Sequence, residues 1–392
     1  MSDLQPVPSE RPATPPPERA AAGASSAPAP AVRRFRIPWR ALTMVGALLV
    51  IWIVFSITTE GTFLTPRNLS LLVRQMAVTS ILAIGMVLVI VAGQIDLSVG
   101  ALAGLLGAVS AMAFTNRGWP LSASFAAVLV LGAILGCAQG WLVAWLRIPP
   151  FIVTLGGMLI FQGALLGATG GVSTSPPRAY LYVGQAYVPK LLGWMAAGIL
   201  AAAFLAKAVR SRGAGPWKWL GFAALAVAFA AVMNAYEGIP VPVLLTVMLA
   251  AFFAGVSHHT RFGRHLYAIG GNREAAFYSG IDIERHIVGV FTLMGLMAGA
   301  AGIVLTARVG SATSDAGRMM ELDAIAAAVI GGTSLLGGQG TVWGALLGAL
   351  VMASLDNGMS LMNTESFWQP VIKGGILVAA VAVDMAGRRG RA

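Results

Sequence analysis

The chain has 392 residues, of which 57% are hydrophobic and only 10% charged, against about a quarter charged in soluble domains. Its net charge of +11 does not mark a nucleic-acid binder, because the Arg and Lys residues gather at the ends of apolar runs, as in cytoplasmic loops of membrane proteins. The single Cys137 excludes an internal disulfide.

Residues 1–38 contain PATPPPE and SSAPAPA. Such a segment buries too little apolar surface to fold, so it is expected to be a disordered cytoplasmic tail. It leads into the basic cluster Arg33, Arg34, Arg36 and Arg40. The apolar run Ala41–Thr58 has no small-residue cleavage pattern after it and reads as a retained helix rather than a signal peptide. Further helices are predicted near 69–92, 97–115, 121–146, 150–168, 189–207, 217–235, 241–257 and 287–307, then near 322–336, 342–360 and 369–385. Several of these runs reach the ~20 residues needed to cross a bilayer core of ~30 Å. They are continuous, without the alternation of a membrane β-barrel. The expected fold is therefore an all-α polytopic membrane protein, with residues 39–387 as its transmembrane domain.

Charge predicts the orientation. With the basic tail inside, alternation places Lys207, Arg210, Arg212, Lys218 and the 258–286 loop on the same side. The short tail 388–392, with Arg388, Arg389 and Arg391, falls there too. Segments assigned outside carry little positive charge: one residue in Asn116–Pro120 and none in Asn234–Pro240. This predicts an N-in, C-in protein of ten to twelve spans. The 322–336 run is short and followed by GGQG, which suggests a broken or re-entrant helix. GxxxG spacings at Gly100/Gly104, Gly132/Gly136, Gly136/Gly140, Gly163/Gly167, Gly295/Gly299 and Gly344/Gly348 suggest close helix packing.

The most polar internal stretch is YAIGGNREAAFYSGI, Tyr267 to Ile281, within the large cytoplasmic loop. Two glycines are expected to loosen the chain, and Asn272 to cap a short helix whose positive end Glu274 complements. Ala275 and Ala276 favour that helix, and Gly280 ends it. A short capped helix outside the lipid suggests a surface gripped by another molecule.

Charges within apolar runs cost ~2.5–3.5 kcal/mol or more near the centre of a span, so each is a candidate for function. In GQIDLSVG, Asp96 can cap the following helix with Ser98 as a local partner; alternatively Gln94, Asp96 and Ser98 line a broken-helix pathway. Glu321 and Asp323 open the run MELDAIAAAVIGG, where capping and solvation at the outer face is the alternative to a pathway role. Asp356 and Asn357 in ASLDNGMS are deep enough to line a pathway, or mark a helix end turning at Gly358. The segments IDLSVGALAG and LDAIAAAVIGG share an apolar–Asp start followed by small residues, a pattern compatible with a duplicated transporter core.

Several chemistries are excluded. None of the four lysines follows a glycine, so the chain lacks a standard P-loop of its own. There is no GxSxG elbow. His258, His259, His265 and His286 match no standard metal spacing and read as solvated loop residues. No cofactor is implied.

On these residues the chain resembles the integral-membrane permeases of bacterial ABC-type sugar importers, the ribose, galactose and xylose branch. The matching segments are IDLSVG (95–100), FIVTLGGM (151–158), YAIGGNREAA (267–276), SGI (279–281), ELDAIAAAVIGGTSLLGGQGTVWGALLGA (321–349) and MASLDNGMS (352–360). The likeness covers the chain from about residue 40 onward. ASLDNGMSLM and the extra apolar material between Pro189 and Ala235 look most like xylose-type permeases. Gln94 departs from the Gly or Glu that family members often carry there.

The resemblance implies an inner-membrane permease homodimer that carries a monosaccharide, D-xylose. It also implies a separate ABC ATPase below and a periplasmic sugar-binding protein above. The family's coupling helix maps onto Gly270, Gly271, Asn272, Arg273, Glu274, Ala275 and Ala276, with Ala275, Ala276 and Phe277 expected as its small apolar face. The alternatives are an ion-coupled secondary transporter, which needs a titratable group at membrane depth, and a membrane enzyme, for which no catalytic constellation is present.

Overall fold

A computed structural model describes residues 39–211 and 216–389. The 1–38 tail, Arg212 and the final residues 390–392 lie outside the described residues. Helices form at all twelve positions that the apolar runs predicted. They are α1 (Trp39–Thr58), α2 (Pro66–Val91), α3 (Val99–Thr115), α4 (Leu121–Ala144) and α5 (Pro150–Thr169), then α7 (Lys190–Arg210), α8 (Pro216–Asn234) and α9 (Val241–His259). The later ones are α12 (Ile283–Val309), α13 (Met320–Ile330), α14 (Val342–Leu361) and α15 (Trp368–Arg389). Three short helices were not among those runs: α6 (Arg178–Gln185), α10 (Arg261–Gly271) and α11 (Arg273–Tyr278). Of these, α11 is the short capped helix that the loop sequence suggested.

Eight of the described helices are long and apolar enough to cross a membrane. Helix α2, with 26 residues, is about 39 Å long at 1.5 Å per residue and exceeds the bilayer core. The sequence punctuates these helices locally. Pro66 opens α2, while the Thr65 hydroxyl accepts from the Asn68 N–H. The Asp282 carboxylate accepts from the Arg285 N–H at the start of α12, and Gly310 closes that helix with φ 80°.

The bundle has a centre and a rim. Within its most apolar stretch 78% of α2 is buried, against 67% of α12 and of α14 and only 17% of α8. Helix α12 packs against α2, α3 and α4. Its contact with α4 uses the predicted glycines, for a Cβ on Gly132, Gly136 or Gly295 would collide with backbone of the facing helix. Gly344 and Gly348 serve α14 against α13 in the same way. Gly163 and Gly167 do not: both face open space.

Rim helices α7 and α8 pack chiefly on each other. A two-residue antiparallel pairing of β1 (Tyr187–Val188) with β2 (Ile239–Pro240) pins one end of this pair. At the other end Phe204 stacks on Trp219, and Lys207 lies 5.0 Å from the centre of that ring.

Helix α13 is only 11 residues long and ends at Ile330. It is preceded by its N-cap Met319, a non-glycine residue at φ 64°, and is followed by a glycine-rich return through Gly331, Gly332, Gly337, Gly338 and Gly340. The helix is thus shorter than the 322–336 run that predicted it, and the chain turns at the glycines that follow. A break, 92–98, separates α2 from α3.

Candidate functional site

The polar loop forms two helices rather than one. Thr260 caps α10 by accepting from the Gly263 N–H at 3.1 Å, and Asn272 caps α11 by accepting from the Ala275 N–H at 2.9 Å. Gly280 follows α11 at φ 77°. The cap and terminator read from the sequence are therefore present. Tyr267–Gly271, however, is the last stretch of α10 and not a loosened segment. Phe262, Leu266 and Ile269 recur at helical spacing, and burial of Leu266 and Ile269 outweighs the poor helix propensity of the two glycines.

Gly270 and Gly271 have different surroundings. A Cβ on Gly270 would strike the Val91 carbonyl at the end of α2, while Gly271 has open space around its missing side chain. Directly beside Gly270 the Gly338 N–H donates to that Val91 carbonyl at 2.9 Å. The Tyr267 hydroxyl donates to the Gly340 carbonyl at 2.8 Å. The end of α10 thus meets two segments at one junction: the end of α2 before the 92–98 break, and the return between α13 and α14. Burial raises the Tyr267 hydroxyl above its ordinary pKa, so it stays a donor across the neutral range.

On α11 the faces divide sharply. Ala276 is 4% exposed and packs into the apolar core, whereas Arg273, Glu274 and Ala275 are exposed. The small apolar face expected from Ala275, Ala276 and Phe277 is therefore split, because one helical turn cannot point consecutive residues the same way. The outward apolar surface is aromatic instead: Phe277 and Tyr278 are 63% and 78% exposed. Phe277, Trp145, Arg147 and Arg285 border an open cleft of about 520 Å³ beside α11.

The histidines are not all solvated. His265 Nδ1 and His286 Nε2 lie 3.0 Å apart, joining α10 to α12, and Phe262 stacks on the His286 ring. Partial burial, and then the neighbouring His286, Arg264 and Arg261, push the His265 pKa down.

The seven candidate pathway residues fall into separate clusters. At the 92–98 break, the Asp96 carboxylate accepts from both the N–H and the hydroxyl of Ser98, at 2.8 and 2.7 Å. Ser98 also bonds the Gln139 side chain at 3.0 Å, and the Gln94 side chain turns back to the Ala92 carbonyl. Ser98 was the expected partner of Asp96, yet it is Ser98 itself that occupies the N-cap of α3, without a side-chain cap bond. Asp96 organises the break one step earlier.

Glu321 and Asp323 are 5% and 8% exposed, so the alternative of a solvated helix start is wrong. Glu321 lies against Gly100, where an added Cβ would strike its carboxylate. The two acid-plus-glycine segments of the sequence therefore touch. Asp323 and Asp356 converge on Lys373 of α15, at 3.0 and 2.8 Å. Asn357 exchanges two amide hydrogen bonds with Asn68, at 2.8 and 3.0 Å. Helix α14 continues through Gly358 to Leu361, so the helix end expected at Gly358 does not occur.

Sequence reasoning passed over Lys373, Asn68 and Gln139. A lysine inside an apolar run was itself a signal. The two amides had none, since their partners are distant in the chain. On the face of α3 and α5, Gln162, Ser314, Asp315 and Arg318 border one side of an open cleft of about 440 Å³ whose other side is Leu159, Leu165 and Leu166.

Comparison with known proteins gives this architecture a family. Residues 68–381 match the family described as branched-chain amino acid transport system / permease component. The chain is 44% identical to the xylose transport system permease protein XylH of Escherichia coli K12, over 88% of this chain and 92% of that protein. It is 43% identical to XylH of Haemophilus influenzae, over 88% and 96%, and 38% identical to the ribose import permease protein RbsC of Escherichia coli K12, over 86% and 91%. No solved structure gives a significant match. The match spans most of a chain with eight membrane-length apolar helices, and the chain belongs to the branched-chain amino acid transport system / permease component family of membrane permeases.

Proposed function

We propose that this chain is the transmembrane subunit of an ATP-driven importer for a monosaccharide, D-xylose, in the bacterial inner membrane. The observation that carries the proposal is the 44% identity to a xylose permease across nearly the full length of both chains. The α10–α11 loop is its cytoplasmic side and α11 its coupling helix, so that the chain spans the membrane ten to twelve times with both ends inside. A separate ATPase grips the exposed Asn272, Arg273, Glu274 and Ala275, and Gly270 and Gly271 join that surface to the bundle. Phe277 and Tyr278 add the apolar contact, and Ala276 holds the helix to the bundle from beneath. A periplasmic binding protein delivers the sugar to the opposite face. Two copies of the chain form the channel, as the family resemblance implies.

The junction at Gly270 gives the coupling a physical route. A displacement of α11 reaches the end of α10 and bears at once on Val91 and Gly338. Val91 precedes the 92–98 break before α3, Gly338 lies in the return after α13, and α3 and α13 meet at Gly100 and Glu321. The pairing of Asp323 and Asp356 with Lys373 supports an ATP-driven rather than an ion-coupled mechanism, because it occupies two of the membrane acids that ion coupling would require. Purification of the tagged chain from its native membranes tests the assignment. An ABC ATPase should accompany it in detergent; a chain that purifies without one, from membranes that import xylose through it, refutes the assignment.

A further inference from the structure

We propose that Lys373 is a positioning residue for transport: through Asp323 and Asp356 it ties the rim helix α15 to the short helix α13, and the cycle requires that this cluster keep its net charge. The inference rests on the permease reading.

In lipid, apolar contact alone does not fix where a helix docks, since acyl chains are as apolar as Leu or Ile. The inner stripe of α15 is Lys373, Ile376, Leu377 and Val381, all only half-buried. Its apolar members lose little by facing lipid. Among the described residues, the side-chain hydrogen bonds and ion pairs that join α15 to the rest of the bundle are those of Lys373. Its ammonium nitrogen lies 3.0 Å from Asp323 Oδ2 and 2.8 Å from Asp356 Oδ1, with the three side chains 22%, 11% and 17% exposed.

The depths agree as well. Lys373 stands five residues after the start of α15 and Asp356 five before the end of α14. Each is about 7.5 Å from that helix end at 1.5 Å per residue. Asp323 stands three residues inside α13. The charged groups around the cluster are Asp323 and Glu321 from α13, Asp356 from α14, Lys373 from α15 and Arg308 from α12, which is within electrostatic range of Asp356.

The three tied side chains sum to −1. Without Lys373 two carboxylates face each other with no cation between them, in surroundings where an uncompensated charge is costly. α13 is thereby pushed from α14 and loses its hold on α15. The effect acts through charge and not through the lysine as such, so deleting one carboxylate as well restores the sum.

The test is xylose uptake by cells producing the full chain with its native partners, normalised to the amount of chain in the membrane. K373M should lower uptake about tenfold or more, and K373M/D356N should recover to within about threefold of the parent. A packing defect would not be repaired by removing a second charge, and K373R, which keeps the charge, should stay within about threefold of the parent. Normal uptake by K373M overturns the proposal, as does a double variant no better than K373M. Where K373M does not accumulate, restored accumulation and uptake in K373M/D356N support the tie, and a double variant that is also lost overturns it. A parent that carries no sugar refutes the permease reading instead.

Discussion

Two adjacent glycines, Gly270 and Gly271, should respond oppositely to the same small change. In Gly270→Ala the new methyl falls on the Val91 carbonyl, and overpacking of this kind costs about 1–3 kcal/mol. Relief requires the end of α10 to lift away, which strains or breaks the bond from the Gly338 N–H to Val91, worth about 1 kcal/mol more. The total of about 2–4 kcal/mol corresponds to about a 30- to 1,000-fold shift against the assembled junction. Gly271→Ala meets open space and gains up to about 1 kcal/mol of helix propensity.

The assay is ATP hydrolysis and uptake by the assembled importer in lipid vesicles, with and without sugar. Gly270→Ala should retain the ATPase, because α11 itself is untouched, but should lose the sugar-dependent part of hydrolysis together with uptake. Gly271→Ala should match the parent. Equal impairment of the two variants, or normal coupling in Gly270→Ala, would refute the junction as the route of coupling.

Other residues make independent predictions. Glu274→Lys and Ala275→Asp alter exposed positions, where substitutions usually stay within about 0.5 kcal/mol; both proteins should accumulate normally yet fail to retain the ATPase in a pull-down. Ala276→Asp places a charge at a buried position and should instead lower the amount of chain in the membrane, which immunoblotting reads directly; a normal level would show that α11 is turned differently. Asn68→Ala leaves the Asn357 amide buried without its partner and should cost about 1–3 kcal/mol, seen as a lower midpoint of thermal unfolding in detergent, whereas an unchanged midpoint would dismiss the amide pair. The depressed pKa of His265 makes its neutral form the native one. The α10–α12 contact is then fully present above about pH 6.5 and weakens as pH falls from there toward the depressed value, while His265→Phe removes that dependence. Hydrogen exchange across Arg261–Gly271 measures it, and a flat pH profile in the parent would contradict the His265–His286 contact.

The helices were legible in the sequence because hydropathy is a local property and each long apolar run needs only itself to be recognised. The start and end of α11 were legible for the same reason, since Asn272 and Gly280 act within one turn. Helix α10 was not: two glycines argued for a loop, and the deciding term was burial of Leu266 and Ile269 against elements far away in the chain. The polar clusters show the same limit. Asp96 and Ser98 are two residues apart and were paired correctly, but Asn68 and Asn357 are 289 apart. Lys373 is 50 residues from Asp323, and no pattern within a single sequence fixes such a match. Burial of Glu321 and Asp323 also depends on what packs over the start of α13. Their position at a helix N-terminus is equally consistent with solvated caps.

On the proposed function, ATP hydrolysis on another subunit drives D-xylose through this chain. The most direct test reconstitutes the chain with the ATPase that accompanies it and the matching periplasmic binding protein in sealed vesicles held without a proton gradient. Xylose bound to its carrier protein should stimulate ATP hydrolysis, and the sugar should accumulate only while ATP is supplied. Accumulation that proceeds without hydrolysis once a proton gradient is imposed, and is lost when that gradient is dissipated, would contradict ATP-driven import.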